Sequence, residues 1–185
     1  MLDPSGPEYA LSDDMEPLLA FADAFVTHEH KQRVRKHAPS AIVEWCDPKR
    51  VLVRVLRSEE TDALQMAENW VITGLAEFRR FGLTFYLSGQ PAFWYNSTGE
   101  LSAAELVCHT LTLDTNPRRI SYAMLLIEEE SIEKEMLTQV ATWYGLESLV
   151  ARMYTAIGGE FESTEQTRLP SEMEYTALKT QYGVA

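Results

Sequence analysis

A succession of helix signals after residue 101 constrains the fold of this chain more than any other feature. Two Ser-x-x-Glu sequences, Ser102–Glu105 and Ser171–Glu174, have the spacing of a capping box. Further helix starts and ends are indicated by Asn116-Pro117, Ser131, Gly145 and Gly158-Gly159. Because the links between these helices are short, neighbouring helices are expected to run antiparallel. The sequence therefore predicts a C-terminal helical bundle.

The N-terminal part predicts one helix followed by a β-hairpin. A helix starts at Ser12, and its apolar residues are expected to form a buried stripe. That stripe consists of Leu18, Leu19, Phe21, Ala22, Phe25 and Val26. Residues 41–45 and 51–56 are rich in strand formers, and residues 47–50 have turn chemistry. This outline is similar to a winged helix, although about 30 residues leave little room for the three helices that precede a wing.

The segment from Ser58 to Tyr95 predicts mixed structure. One interpretation is a single helix from residue 58 to about residue 80, in which Gly74 costs roughly 1 kcal/mol relative to Ala. The other is a strand at residues 70–73 followed by a short helix from Leu75. Residues 83–87 and 92–95 favour a second hairpin around the turn at residues 88–91.

These elements together predict an α+β protein with three parts. Residues 1–11 are expected to be a flexible tail, and residues 12–57 a helix plus hairpin that carries a basic segment. Residues 58–185 are expected to form a mixed core and the C-terminal helical bundle. At 185 residues and 45% hydrophobic composition, the chain can fill a core of this size.

Basic residues are concentrated in one short window of an acidic chain. Residues 28–57 contain eight Lys or Arg against three acidic residues, whereas the whole chain has a net charge of −12. Such a segment suits an anionic partner or an acidic surface of another subunit or of the chain itself. The predicted nucleic-acid contacts are Lys31, Arg33, Arg35, Lys36, Lys49, Arg50 and Arg54. Scarce Lys and many acidic residues suit either a salt-adapted protein or an ordinary acidic one.

No motif indicates a specific enzymatic or metal chemistry. His28, His30 and His37 lack helical chelating spacing and are expected on a solvated basic face. Cys108 and His109 are adjacent on a helix, so their side chains diverge and form no catalytic dyad. Phosphate-binding loops and nucleophile elbows are absent from the sequence. We therefore predict no catalytic residues, no metal site and no cofactor, with an enzyme of unrecognised type as the alternative.

The remaining features bear on localisation and on the core. The chain has no apolar run of about 18 residues and no secretory signal, and its two cysteines are isolated. A cytoplasmic protein without membrane association is therefore expected. One aromatic group is interpreted either as core or as a base-stacking platform. It consists of Phe85, Tyr86, Phe93, Trp94 and Tyr95.

Several segments carry a family resemblance. The segment from Val71 to Leu83, with Thr73-Gly74 and Gly82-Leu83, resembles the core of the AbiEi-like antitoxin group. The later segments are similar to related proteins of halophilic archaea. These segments are 102–111, 119–126, 144–146 and 169–183. Across about residues 50–183, the resemblance implies an antitoxin-like or transcription-regulator-like protein whose partner is DNA or a toxin.

Two functions from different classes therefore remain open. One is a non-enzymatic regulator that binds DNA or a toxin partner, and the other is a protein-interaction or oligomerisation module without nucleic-acid binding. A homodimer is expected in either case, because the C-terminal helices carry many large apolar side chains. The side chains that suggest this dimer are Trp143, Tyr144, Met153, Tyr154 and Ile157.

Overall fold

The fold is organised around a four-stranded antiparallel sheet. A computed structural model of the chain describes residues 16–85, 91–95, 100–161 and 169–184. The strands are β1 (Ile42–Cys46), β2 (Val51–Arg54), β3 (Trp70–Thr73) and β4 (Ala92–Tyr95), and their order in the sheet is β1-β2-β4-β3. All three strand pairs are antiparallel. The predicted hairpin of β1 and β2 is confirmed.

Helices precede and follow the sheet strands. In chain order they are α1 (Glu16–Arg35), α2 (Ser58–Gln65), a 3-10 helix (Gly74–Phe81), α3 (Ala103–Leu113), α4 (Pro117–Glu129), α5 (Lys134–Thr142), α6 (Glu147–Ile157) and α7 (Glu172–Tyr182). The α+β class, with an N-terminal helix, a hairpin and C-terminal helices, is confirmed. Between residues 16 and 41 there is one helix, whereas a winged helix has three before its wing.

The sheet separates two hydrophobic clusters. Val51, Val53 and Phe93 face a cluster that includes Val34 of the α1 end and Leu64 of α2. Leu52 and Trp94 face the larger cluster, which is built with α3 to α7. Val51 and Val53 therefore lie on the opposite face of the sheet from Leu52, because successive side chains of a strand point to opposite faces.

Local caps position the C-terminal helices. The Ser102 hydroxyl accepts from the Glu105 amide at 3.2 Å, and the Glu105 carboxylate accepts from the Ser102 amide at 2.8 Å. Ser171 and Glu174 form the same reciprocal pair in front of α7. Both predicted capping boxes are confirmed. The helix predicted from Ser131 instead begins at Lys134, because Ser131 has a φ of 46°.

The structure of the central segment agrees with the second interpretation, a strand at residues 70–73 followed by a short helix. Strand β3 ends at Thr73, and the 3-10 helix begins at Gly74, whose φ is +71°. The second predicted hairpin is wrong, because both edges of β4 are already paired with β2 and β3. Residues 83–85 form no strand, and the remainder of that predicted strand and most of its turn lie outside the described residues.

Two other observations complete the fold. The buried stripe predicted for α1 is wrong, because Leu18, Leu19, Phe21 and Phe25 are exposed, and the start predicted at Ser12 lies outside the described residues. Among the helices that the structure describes, none has the length and apolar character needed to cross a bilayer.

Candidate interaction surface on helix α1 and the hairpin turn

The second half of α1 is fastened to the hairpin. His30 is 2% exposed, and its Nε2 lies 2.7 Å from the Asp47 carbonyl oxygen. Arg33 Nη1 lies 2.9 Å from His30 Nδ1. Because guanidinium nitrogens only donate, Nδ1 must accept and Nε2 must donate to Asp47. His30 therefore anchors α1, which corrects the expectation of a solvated residue.

Three of the seven predicted nucleic-acid contacts are engaged inside the molecule. The Arg33 guanidinium donates to His30 and lies 4.5 Å above the Tyr95 ring. Arg54 Nε donates to the Glu44 carboxylate across the hairpin at 2.7 Å. Arg50 Nε donates to the Asp47 carboxylate at 2.8 Å. Carboxylates largely neutralise Arg50 and Arg54, and Arg33 is held against His30 and Tyr95, so these three cations contribute less attraction for an external anion.

Arg50 is also surrounded by indole rings. Its guanidinium carbon lies 4.3 Å from the Trp143 ring centroid and 5.8 Å from those of Trp45 and Trp94. Trp45 Nε1 donates to the Trp143 carbonyl oxygen at 3.0 Å. These contacts join the hairpin turn to the end of α5. Arg50 is thus a structural link between sheet and bundle, stabilised by cation–π attraction.

Asp47 is tuned to hold this link. Burial raises the pKa of the Asp47 carboxyl, but hydrogen bonds from Arg50 and from the backbone amides of Lys49 and Arg50 outweigh it. The net effect is a pKa below the ordinary value. The carboxylate therefore stays charged and orders the turn between β1 and β2.

Four predicted contacts remain exposed and unengaged. Lys31, Arg35, Lys36 and Lys49 make no side-chain hydrogen bond or ion pair with any residue that the structure describes. Lys31 and Arg35 are one helical turn apart and share a face of α1. Lys36 follows directly after the helix, and Lys49 lies in the hairpin turn. The structure thus retains a smaller cationic surface than the sequence suggests.

The first half of α1 presents apolar side chains to solvent. Leu18, Leu19, Phe21 and Phe25 are 58%, 45%, 68% and 56% exposed. They lie on more than one side of the helix, whereas burial against the sheet starts only near His30 and Val34. This is why the predicted stripe is not buried: the helix extends beyond the surface that could cover it.

The aromatic group in and near β4 belongs to the core. Phe85, Phe93 and Trp94 are buried, and Trp94 stacks on Trp45 with ring centroids 5.6 Å apart. Tyr95 is partly buried beneath Arg33, and Tyr86 lies outside the described residues. Of the two interpretations, core packing is the one that these residues follow.

His109 is the centre of a buried polar network. Its Nδ1 lies 2.6 Å from the Thr73 hydroxyl, and its Nε2 lies 2.8 Å from the Tyr144 hydroxyl. Burial, with a smaller contribution from Arg50, lowers the pKa of His109 to about 3. Burial raises the pKa of the neighbouring Cys108 thiol to about 12. Since both ring nitrogens are already bonded and the thiol stays protonated, this pair lacks the arrangement of a nucleophile and its base.

Two buried or half-buried carboxylates escaped sequence reasoning. The Glu60 carboxylate accepts from the Ser40 amide at 3.1 Å and from its hydroxyl at 2.5 Å. The Glu128 carboxylate accepts from the Tyr175 hydroxyl and from Lys179 Nζ. These partners are distant in the sequence, so no local pattern indicates them. Within the described ranges, no group of three or more His, Cys, Asp or Glu could hold a metal ion.

The fold defines an α+β protein in which a helical bundle covers one face of an antiparallel sheet. Residues 67–184 match the family model HVO_2833_C, C-terminal, over more than half of the chain. The chain therefore belongs to that family. The matched region runs from just before β3 to the end of α7, so α1, β1, β2 and α2 precede it. Comparison with curated proteins and with solved structures gave no match.

Proposed function

We propose that this chain is a non-enzymatic, antitoxin-like regulator that docks a partner protein along α1. The observation that carries the proposal is the exposed apolar half of this helix, defined by Leu18, Leu19, Phe21 and Phe25. Leu18, Phe21 and Phe25 share one side of this helix, and helices commonly bind by laying such side chains into a groove of another protein. Contiguous exposed apolar groups of this kind usually belong to binding surfaces.

The charges on α1 indicate the chemistry of the partner. The exposed apolar residues are followed, about two to three turns after Phe25, by Lys31, Arg35 and Lys36, which have no partner in the described part of the chain. A complementary partner has an apolar groove with carboxylates beyond one end. Charge complementarity of this kind increases the association rate and fixes the orientation of the bound helix. The resemblance to antitoxins makes a toxin the expected partner.

The other parts of the proposal rest on chemistry inside the fold. The buried His109 and Cys108 are unsuited to act as a base and a nucleophile, which favours a non-enzymatic role. Cys46 and Cys108 are both free thiols, which favours the reducing environment of the cytoplasm.

Site-specific photocrosslinking in the native host tests the proposal. A photoreactive residue replaces Phe21, and a matched control replaces Met173, which is 79% exposed on α7. Besides any adduct with a second copy of the chain, we expect one adduct with a different protein at position 21 that is absent at position 173. The identified protein is then purified, and its affinity for the chain should fall at least about tenfold in Phe21→Glu/Phe25→Glu and decrease with salt. No specific adduct, or equal affinity of the variant, would overturn the proposal.

DNA binding is the second candidate, because one specific observation favours it. Lys31, Arg35, Lys36 and Lys49 are exposed cations on the helix and turn that would act as recognition helix and wing. A gel-shift salt series on duplex DNA tests it. If DNA is bound, Lys31→Glu/Arg35→Glu should weaken binding and reduce the salt slope by about 0.9 for each phosphate that is no longer neutralised. Arg50 is unsuitable for this test, since its substitution would also break the link to Trp143.

A further inference from the structure

The open edge of β3 offers a second binding surface. We propose that an extended segment of a partner polypeptide docks there and joins the sheet as a fifth strand. This inference goes beyond the proposed function, because it concerns another surface and another mode of recognition. It rests on the contrast between the two edges of the sheet, on the groove beside β3 and on the charges that line this groove.

The two sheet edges differ in how they are protected. At the β1 edge, the register shifts between Val43 and Trp45, and α1 lies alongside, with Thr27 near Cys46 and His30 bonded to Asp47. Bulges and covering elements are the usual means by which a sheet edge avoids further pairing. Strand β3 pairs with β4 in unbroken register from Trp70 to Thr73. Of the two edges, β3 thus keeps the regular geometry that an incoming strand needs.

The backbone of β3 has unused hydrogen-bonding capacity. In an antiparallel pair, alternate residues direct their N–H and C=O groups to the neighbouring strand, and the others direct theirs outward. Apart from the Trp70 amide, which donates to the Ala67 carbonyl at 3.4 Å, no outward group of β3 has a backbone partner in the described parts of the chain. Extended polypeptide is the ligand that satisfies such a row of donors and acceptors.

A groove of about 520 Å³ lies beside this edge. Gln65 at the end of α2 lines it on one side, and Arg80, Glu100 and Leu101 line it on another. Val71 and Ile72 are partly exposed within it and belong to opposite faces of the sheet. The groove therefore offers apolar contacts to alternate side chains of an added strand, on both of its faces.

The groove selects a thin, basic occupant. Arg80 Nη2 lies 2.7 Å from a Glu100 carboxylate oxygen, and Arg80 Nη1 lies 3.8 Å from one of Glu77. Glu77 also lies 3.5 Å from Arg79 Nη2, so the attraction for Lys or Arg comes from Glu100, whose side chain is 87% exposed. A single extended peptide brings only its own strand to the edge, and a Lys or Arg on that strand complements Glu100.

The test uses a defined peptide and the full chain. The probe is acetylated and amidated Val-Lys-Val-Thr-Val-Lys, titrated into isotope-labelled protein and followed by amide NMR. The matched control is the same peptide with N-methyl groups on alternate residues, one version for each set of alternate residues. One of these control peptides cannot donate hydrogen bonds to β3. Because the protein itself is unaltered, a loss of binding cannot come from misfolding of the protein.

We expect saturable shifts at Val71, Ile72 and neighbouring amides, and binding at least about tenfold weaker for one N-methylated version. Glu100→Lys should also weaken binding, because Glu100 is largely exposed and its replacement reverses the charge. Phe21→Glu/Phe25→Glu should bind the peptide as the unmodified chain does, so failure here is separate from failure of the α1 proposal. Absence of shifts at β3, or equal binding of both N-methylated peptides, would overturn the inference.

Discussion

The fold places a neutral imidazole where three elements meet. His109 of α3 connects Thr73 at the end of β3 with Tyr144 just beyond α5. Its burial is complete, so a proton on this ring would carry a charge into the core without a compensating anion. The depressed pKa of His109, about 3, expresses that cost. This residue therefore links the free energy of unfolding to pH.

We predict that His109 makes the protein less stable as the pH falls below about 6.5. Between its folded pKa of about 3 and the ordinary value of 6.5, the unfolded chain binds one more proton at this residue. Stability from this group is thus fully present above pH 6.5 and falls by up to about 1.4 kcal/mol per pH unit below it. In His109→Gln, urea unfolding from pH 4 to 8 should lose this contribution to the slope. His28→Gln, at an exposed histidine, is the control and should keep it; equal slopes in all three proteins would contradict the prediction.

At the residue scale, sequence reasoning succeeds where partners are near in the chain. The hydroxyl of Ser102 bonds a backbone amide three residues away, so a four-residue pattern contains the whole interaction. His109 and Glu128 find their partners at least 35 residues away. The sequence indicates that such polar residues lie in helices, but their bonds depend on how the helices pack.

The effect of Gly74→Ala on stability depends on the backbone conformation at this position. In a helix interior, replacement by Ala would stabilise the protein by roughly 1 kcal/mol. At the actual φ of +71°, a side chain is strained, and a Cβ would lie 3.3 Å from Leu113 Cδ1. We predict that Gly74→Ala lowers the free energy of unfolding by about 1–2 kcal/mol. Denaturant unfolding measures it.

Gly82→Ala is the matched control for that substitution. Gly82 has a φ of +81°, but a Cβ there would meet nothing within 4 Å. Gly82→Ala should therefore introduce the backbone strain without the added crowding. Its loss in the free energy of unfolding should be no larger than that of Gly74→Ala. An increase in stability for Gly74→Ala would contradict the structure of this junction.

Helix α7 depends on one carboxylate of α4. Glu128 accepts from the Tyr175 hydroxyl and lies 2.7 Å from Lys179 Nζ. Tyr175 is 3% exposed, and its pKa is raised by burial and then by Glu128, so its hydroxyl stays a donor. Glu128→Ala leaves this donor unpaired, and we predict a loss of about 1–3 kcal/mol in stability. Hydrogen exchange should quicken in α7 first. The exposed neighbour Glu129→Ala should leave both measurements unchanged, and equal effects would count against this attachment.

At the element scale, most helices could be predicted but the strand partners could not. Caps and apolar spacing mark the ends of α3, α4 and α7 within a few residues. The sequence also suggests that residues 92–95 form a strand, yet it pairs them with the preceding segment 83–87. In the fold, β4 pairs with β2 and β3, which are far away in the chain. The sequence pattern of a strand indicates which of its side chains are buried, but it does not identify the strands that pair with it.

The protein is predicted to be a homodimer. The structure moves the expected dimer contact from the C-terminal helices to another surface. Met153 is fully buried, and of the C-terminal aromatics Trp143 is the exposed one, bound to Arg50. The apolar half of α1 is the surface now expected to pair with a second copy, until the partner protein displaces it. Light scattering should give a dimer at both low and molar salt, and a monomer for Phe21→Glu/Phe25→Glu.

Met173→Glu, at an exposed apolar residue of α7, is the control and should remain dimeric. The comparison of salt concentrations matters because a net charge of −12 per chain causes repulsion that salt screens. A monomeric mass under both conditions would show that the homodimer prediction is wrong.

The position of β2 has a consequence for the part of the chain that defines the family. The matched region starts at residue 67, yet β2 lies between β1 and β4 and covers the edge of β4 that the region itself leaves open. Strand β2 also contributes Leu52 to the core of the bundle. The matched region therefore holds two of the four strands that the structure describes, and by itself it would expose one more strand edge and lack one buried side chain of its core.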